Sequence, residues 1–117
     1  MSKQISRSEL RTRAAANPSL VLLEALPEKY FLDWHLPGAR HMPHDHVRTL
    51  APRMIPDKNA EIVVYCASAT CRNSHIAADQ LVQLGYHNVS VYADGKKDWV
   101  EAGSPTESGA GATAAAT

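Results

Sequence analysis

Apolar positions in this chain fall into two alternating patterns: short continuous runs, often β-branched, and longer stripes with helical spacing. Leu20-Val21-Leu22-Leu23, Glu61-Ile62-Val63-Val64-Tyr65 and Val89-Ser90-Val91-Tyr92 are the runs. Runs of that length, bounded by polar and turn residues, suit strands buried on both faces. A brief further strand is expected around Ala39 to Met42. The helical stretches lie between them. Ser6-Arg7-Ser8-Glu9 reads as a capping box, with Ile5 and Leu10 as its hydrophobic staple. The helix it opens should run to about Ala16 and stop at Asn17-Pro18. A helical turn is expected from Pro27 to Leu32. Val47, Leu50, Ala51 and Met54 repeat on one face of a helix. Ile76, Ala77, Leu81 and Leu84 form another stripe, closed by Gly85 at the C′ position. Asp94 is expected to cap a last short helix carrying Trp99 and Val100, which Gly103-Ser104-Pro105 ends.

Strands alternating with helices predict an α/β domain, a mainly parallel sheet flanked by helices on both faces. Functional sites in such sheets form beyond the carboxyl ends of the strands. The domain is expected to occupy residues 1–106. Residues 107–117, rich in Ala, Gly, Ser and Thr, cannot bury enough apolar surface to offset their ordering entropy and read as a disordered tail.

Composition narrows the classes of function. Twelve Lys and Arg balance twelve Asp and Glu in 117 residues, interspersed along the chain, which lacks the basic footprint of a nucleic-acid or anionic-membrane binder. No apolar run approaches the roughly 18 residues of a membrane span, and Met1 to Ser6 holds no signal-peptide core. A cytoplasmic protein, monomer or homodimer, is the expectation. Two cysteines five positions apart are no disulfide framework, and Cys-x4-Cys without a second pair is a poor zinc site. His41, His44 and His46 lie close together, but a loop rich in His and Pro reads as a solvent-facing connection. No metal and no cofactor are expected.

The chemistry concentrates after the second long run, in Cys66-Ala67-Ser68-Ala69-Thr70-Cys71-Arg72. This order puts a sulfur at the carboxyl end of a buried strand, facing a helix amino terminus. Free N–H groups and the helix dipole favour an anion there, so the placement predicts a lowered pKa for Cys66 and a nucleophilic thiolate. The small residues Ala67, Ser68, Ala69 and Thr70 let the loop present a fan of N–H groups to an anionic substrate. Arg72 adds a positive charge suited to an oxyanion.

Several stretches resemble a family. Tyr65-Cys66, Leu84-Gly85-Tyr86, Asn88-Val89 and Gly95…Asp98-Trp99…Ala102-Gly103-Ser104-Pro105 resemble the second half of a single-domain rhodanese. His35-Leu36-Pro37-Gly38-Ala39 resembles the family's His-Ile-Pro-Gly-Ala segment. The likeness covers residues 5 to 106. It implies a five-stranded parallel sheet and a cysteine that takes a sulfane sulfur as a persulfide. The sulfur comes from a small donor such as thiosulfate and leaves to a thiol or cyanide acceptor. Capture on Cys66 would split one transfer into two easier ones. Cys71 is then a candidate resolving thiol, able to attack the Cys66 persulfide, or equally a small hydrophobe packed under the loop.

Departures from the family pattern mark positions to watch. Glu24 and Leu26 stand where rhodaneses commonly carry Asp and Arg, and Trp34 replaces a glycine. Arg72 lies six positions after Cys66 rather than five, so the family arginine aligns with Asn73. Glu24, His35, Asn73 and His75 are the candidate supporting residues: Glu24 to reach a loop amide or Arg72, His35 as a structural hydrogen-bonding residue near the site. Trp34 and Trp99 read as packing residues. Cys-x5-Arg is also the spacing of phosphatases built on the same fold and of arsenate reductases. Those loops usually begin His-Cys, and no Asp is placed here as a general acid. A non-enzymatic sulfur-carrier or interaction module is the third reading, and the retained cysteine argues against it.

Overall fold

A computed structural model describes residues 3 to 109. Its elements run β1 (Lys3–Ile5), α1 (Arg7–Ala16), β2 (Val21–Glu24), α2 (Glu28–Asp33), β3 (Arg40–His41), α3 (Val47–Met54), β4 (Ile62–Tyr65), α4 (Asn73–Gln83), β5 (Val89–Tyr92) and α5 (Gly95–Glu101). All five strands pair in parallel, in the order β1-β5-β4-β2-β3. The α/β class expected from the sequence, a mainly parallel sheet with helices between its strands, is the observed one.

The strand pleat sorts each apolar run onto two cores. Ile62 and Val64 face Leu23, Val91, Val47, Ala51, Ala78 and Leu81. Val63 and Tyr65 point the opposite way, into Leu10, Phe31, Tyr92 and Trp99. A strand buried on both sides must be apolar at consecutive positions, which is why β4 reads as a continuous run. Ser90 is the polar exception inside β5, and the Arg13 guanidinium donates to its hydroxyl at 3.0 Å.

Local signals succeed where a side chain meets its own backbone. The Ser6 hydroxyl accepts from the Glu9 N–H at 3.1 Å, an N-cap bond worth about 1 kcal/mol. Glu9 does not return the bond; its carboxylate pairs with Arg13, one turn on, at 2.7 Å. Asp94 precedes α5 but makes no capping bond, because its φ of −69° and ψ of −26° are already helical and caps need an extended backbone.

The sequence pattern falls short of the structure at three further places. The short edge strand β1 is absent from the pattern, because Lys3 and Gln4 are exposed and only backbone pairing to Ser90 and Val91 defines it. Ile76, placed on the covered stripe of its helix, is 39% exposed. In α4 the sheet-facing line is Ser74, Ala77, Ala78 and Leu81, small side chains that let the helix sit close to the sheet. The segment after residue 106 does not begin as a free tail. Glu107 pairs with His35 through both backbone bonds, at 2.7 and 2.9 Å, its carboxylate accepts from the Gly38 N–H at 3.0 Å, and the Gly109 N–H donates to Leu32. Backbone pairing holds residues 107 to 109, a source of order that apolar content does not report. Residues 110–117 of the expected tail lie outside the described residues.

Candidate active site

The sheet order creates the site. From β2 the chain moves outward to β3, and from β4 it moves the other way to β5. Adjacent strands β2 and β4 therefore send their following loops in opposite directions, and a crevice opens at their carboxyl ends. Glu24 ends β2, and Cys66 follows the last residue of β4.

Cys66 is fully buried, and its thiol lies 3.3 Å from the Ser74 hydroxyl and 3.4 Å from the Cys71 carbonyl oxygen. The loop doubles back through a turn in which the Cys71 N–H donates to the Ser68 carbonyl at 3.0 Å. Ala67, Ala69 and Thr70 are exposed at its crest. Among the described residues no acceptor takes the N–H groups of residues 67 to 70, which leaves them for an anion. The underside of the loop is braced by α5: the N–H groups of Lys96 and Lys97 donate to the carbonyls of Cys66 and Ala67, each at 2.9 Å. Only glycine fits at position 95, where φ is +66° and a Cβ would collide with the Cys66 carbonyl.

The expected lowering of the Cys66 pKa is reversed. Burial pushes the thiol up, and the neighbouring Cys71 thiol raises it further, while the Ser74 hydroxyl and N–H pull it down by less. The helix amino terminus acts in the anticipated direction, but desolvation of the charged form outweighs it. Alkylation of Cys66, followed by fragment-level peptide mapping, should therefore titrate with a midpoint above the ordinary thiol value of about 8.5. A midpoint at or below that value would contradict the burial argument. The contribution of the protonated thiol is complete below the unfolded-state pKa and is lost as pH rises through the folded one.

The remaining sequence-picked residues divide. Cys71 is half-buried beside Cys66, and both thiols are free. Arg72 is exposed and has no side-chain polar partner among the described residues. Asn73 and His75 are half-buried in the first turn of α4. His35 is buried against Phe31, their rings stacked at 3.9 Å, and its Nδ1 bonds the Phe31 carbonyl oxygen at 2.8 Å. Its contacts hold the Leu32-to-Gly38 turn and residue 107 rather than the cysteine loop. Ser74 is the site residue that sequence reasoning missed. Its position two residues into a helix beginning after Cys-x5-Arg was the available signal.

Glu24 reaches neither a loop amide nor Arg72. Its buried carboxylate pairs with the Lys96 ammonium at 3.1 Å and accepts from the Tyr65 hydroxyl at 2.8 Å. Lys96 also donates to the Tyr30 carbonyl at 2.9 Å, and its ammonium sits 4.6 Å from the Trp34 ring centroid. Burial, then the Glu24 charge, pushes the Tyr65 hydroxyl well above the usual tyrosine range, so it remains a donor. The network ties the ends of β2 and β4 to α5, beneath the loop. A cleft of about 450 Å³ lies at the opposite end of the sheet, lined by Ser19, Asn59, Glu61 and Asn88, far along the strands from the sulfur. Among the described residues no group of three His, Cys, Asp or Glu side chains is placed to hold a metal ion.

The family model for the rhodanese-like domain matches residues 6–102. The chain belongs to the rhodanese-like family. No curated protein sequence matches it at a significant level. Among solved structures, the rhodanese-like domain of a protein from Anabaena sp. is 27% identical with a TM-score of 0.80, covering 92% of this chain and 80% of its own. A rhodanese from E. coli, solved with anions, is 28% identical with a TM-score of 0.66, covering 77% and 99%. A thiosulfate sulfurtransferase from Pseudomonas aeruginosa shares the fold at 22% identity and a TM-score of 0.80, over 92% of this chain and 20% of that one.

Two of the departures noted in sequence, Glu24 and Trp34, meet at Lys96. Leu26, where rhodaneses commonly carry an arginine, is buried, and the cation that meets the β2 carboxylate is Lys96 of α5. Trp34, in place of a glycine, supplies the aromatic face beside that ammonium. No helix among the described residues is long and apolar enough to cross a membrane.

Proposed function

We propose that this rhodanese-like domain is a sulfurtransferase that carries sulfane sulfur on Cys66. The observation that carries the reading is the Cys66 loop: a buried thiol at the strand switch point, followed by four residues whose N–H groups have no acceptor among the described residues. Thiosulfate supplies its outer sulfur to the Cys66 thiolate, an S–S bond forms, and sulfite leaves with the electron pair of the broken bond. The persulfide anion exchanges one buried charge for a larger, softer one that the loop amides can reach. A thiol or cyanide then attacks the outer sulfur and regenerates Cys66, a two-step, ping-pong cycle. The raised pKa of the resting thiol keeps it protonated, so the proton passes to solvent or to a base before the thiolate attacks. The Ser74 hydroxyl is the polar group in contact with the sulfur when that happens.

The test is steady-state thiocyanate formation from thiosulfate and cyanide. The expected result is saturation by both substrates with parallel double-reciprocal lines, and sulfite released in step with thiocyanate. Release of phosphate from an aryl phosphate, with no sulfur transfer, would instead favour the phosphatase reading of Cys-x5-Arg.

A further inference from the structure

The second thiol in the loop is left without a role by that cycle. We propose that Cys71 resolves the Cys66 persulfide by attacking Cys66 Sγ, closing a disulfide inside the loop and releasing sulfide, so that the natural reductant is a dithiol. The inference rests on the sulfurtransferase reading and deepens it by naming the acceptor chemistry.

The geometry supports it at four points. Both cysteines are free, so the pair is available. The Cys66 sulfur is 3.4 Å from the Cys71 carbonyl oxygen. A carbonyl oxygen lies about 2.4 Å from its own Cα, which puts the Cys71 Cα within about 6 Å of the sulfur. The Cys66 Cα lies about 2.8 Å from its own sulfur, so the two Cα atoms are within about 9 Å of each other, and closing to the roughly 4.4–6.8 Å that a disulfide needs takes a local shift of the loop. The Ser68-to-Cys71 turn already folds the loop back on itself, and its exposed crest of Ala67, Ala69 and Thr70 carries no side chain packed against the core. Cys71 is half-buried rather than sealed, so an external thiol can reach the closed bond.

The step balances without an added oxidant. The Cys71 thiol loses its proton to the departing sulfur, its electron pair forms the bond to Cys66 Sγ, and the bond from Cys66 Sγ to the outer sulfur breaks. The outer sulfur gains two electrons and leaves as hydrosulfide, while the two cysteine sulfurs are each oxidised by one. Hydrosulfide is a better leaving group than an alkyl thiolate, which favours attack at the inner sulfur. A dithiol then reduces the loop disulfide and becomes a disulfide itself.

Wild-type protein, reduced and then treated with thiosulfate without oxygen, cyanide or added thiol, decides the matter. The expected result is one equivalent each of sulfite and sulfide per chain. Both thiols should then be lost to alkylation, and the peptide ending at Arg72 should be lighter by two hydrogens. An added dithiol should convert the single release into continuous sulfide production. Cys71→Ser should release sulfite but no sulfide and keep one extra sulfur atom on Cys66. If the wild type keeps the extra sulfur, with Cys71 still open to alkylation, resolution by Cys71 is wrong while the persulfide stands. Equal sulfide release from both proteins has the same meaning. If the wild type yields no sulfite at all, the sulfurtransferase reading falls first and takes this one with it. The wild-type measurements stand alone should the variant fold poorly.

Discussion

Cys66→Ser is expected to lower kcat for thiocyanate formation by about three to six orders of magnitude, the scale seen when an enzyme loses its nucleophile. Serine is close to cysteine in size and keeps a donor toward Ser74 and the Cys71 carbonyl, so the loop should survive the change. What it loses is chemistry. An alcohol at the base of this loop has neither the accessible anion nor the polarisable sulfur needed to form a stable S–S bond. Circular dichroism and the denaturation midpoint should match the wild type, which separates lost chemistry from lost fold. A variant as fast as the wild type would remove the covalent route altogether.

Lys96→Met should have the largest effect on stability. It leaves the fully buried Glu24 carboxylate without its cation, and an uncompensated buried charge costs about 3–5 kcal/mol. Small domains are stable by only about 5–15 kcal/mol, so the variant should be close to unfolding at physiological temperature. The paired variant Glu24→Gln with Lys96→Met removes both charges and keeps an acceptor for the Tyr65 hydroxyl. It should recover most of the loss, because the penalty comes from the orphaned partner more than from the bond. Urea titration of the single and paired variants measures the difference. If the paired variant is as unstable as Lys96→Met alone, the ion pair is not what holds the sheet end to α5. A second consequence concerns activity: the Lys96 N–H carries the Cys66 carbonyl, so a loosened α5 should also raise KM for thiosulfate.

Much of the fold was legible because its signals are local or periodic. The run at β4 is apolar at every position, and those at β2 and β5 at all but one, because both faces are covered. Val47, Ala51 and their stripe neighbours repeat because α3 has one covered face. Ser6 capped α1 through a bond three residues away. Elements without such a signal were missed. Lys3-Gln4-Ile5 is a strand only because β5 offers an unpaired edge, and Glu107 is held only because His35 presents its backbone. The stripe on α4 was misread at Ile76, since alanines and a serine, weak hydrophobic signals, are what the sheet accepts at close range.

For the site, the sequence alone was enough to place a cysteine at a strand end before a helix, and to supply the small residues that let the loop fold over it. Both follow from order along the chain. Three matters were decided only when distant segments met. The sign of the Cys66 pKa shift depends on how completely the packed strands and α5 exclude water, a quantity no local pattern contains. The partner of Glu24 is Lys96, 72 positions away, a pairing made by the crossing of β2, β4 and α5 at one sheet end. The companionship of Cys66 and Cys71 depends on the turn between them, which brings Cys71 back beside the Cys66 sulfur. Helix and strand patterns are written in neighbours; desolvation and ion pairing are written in contacts, and only the folded chain supplies those.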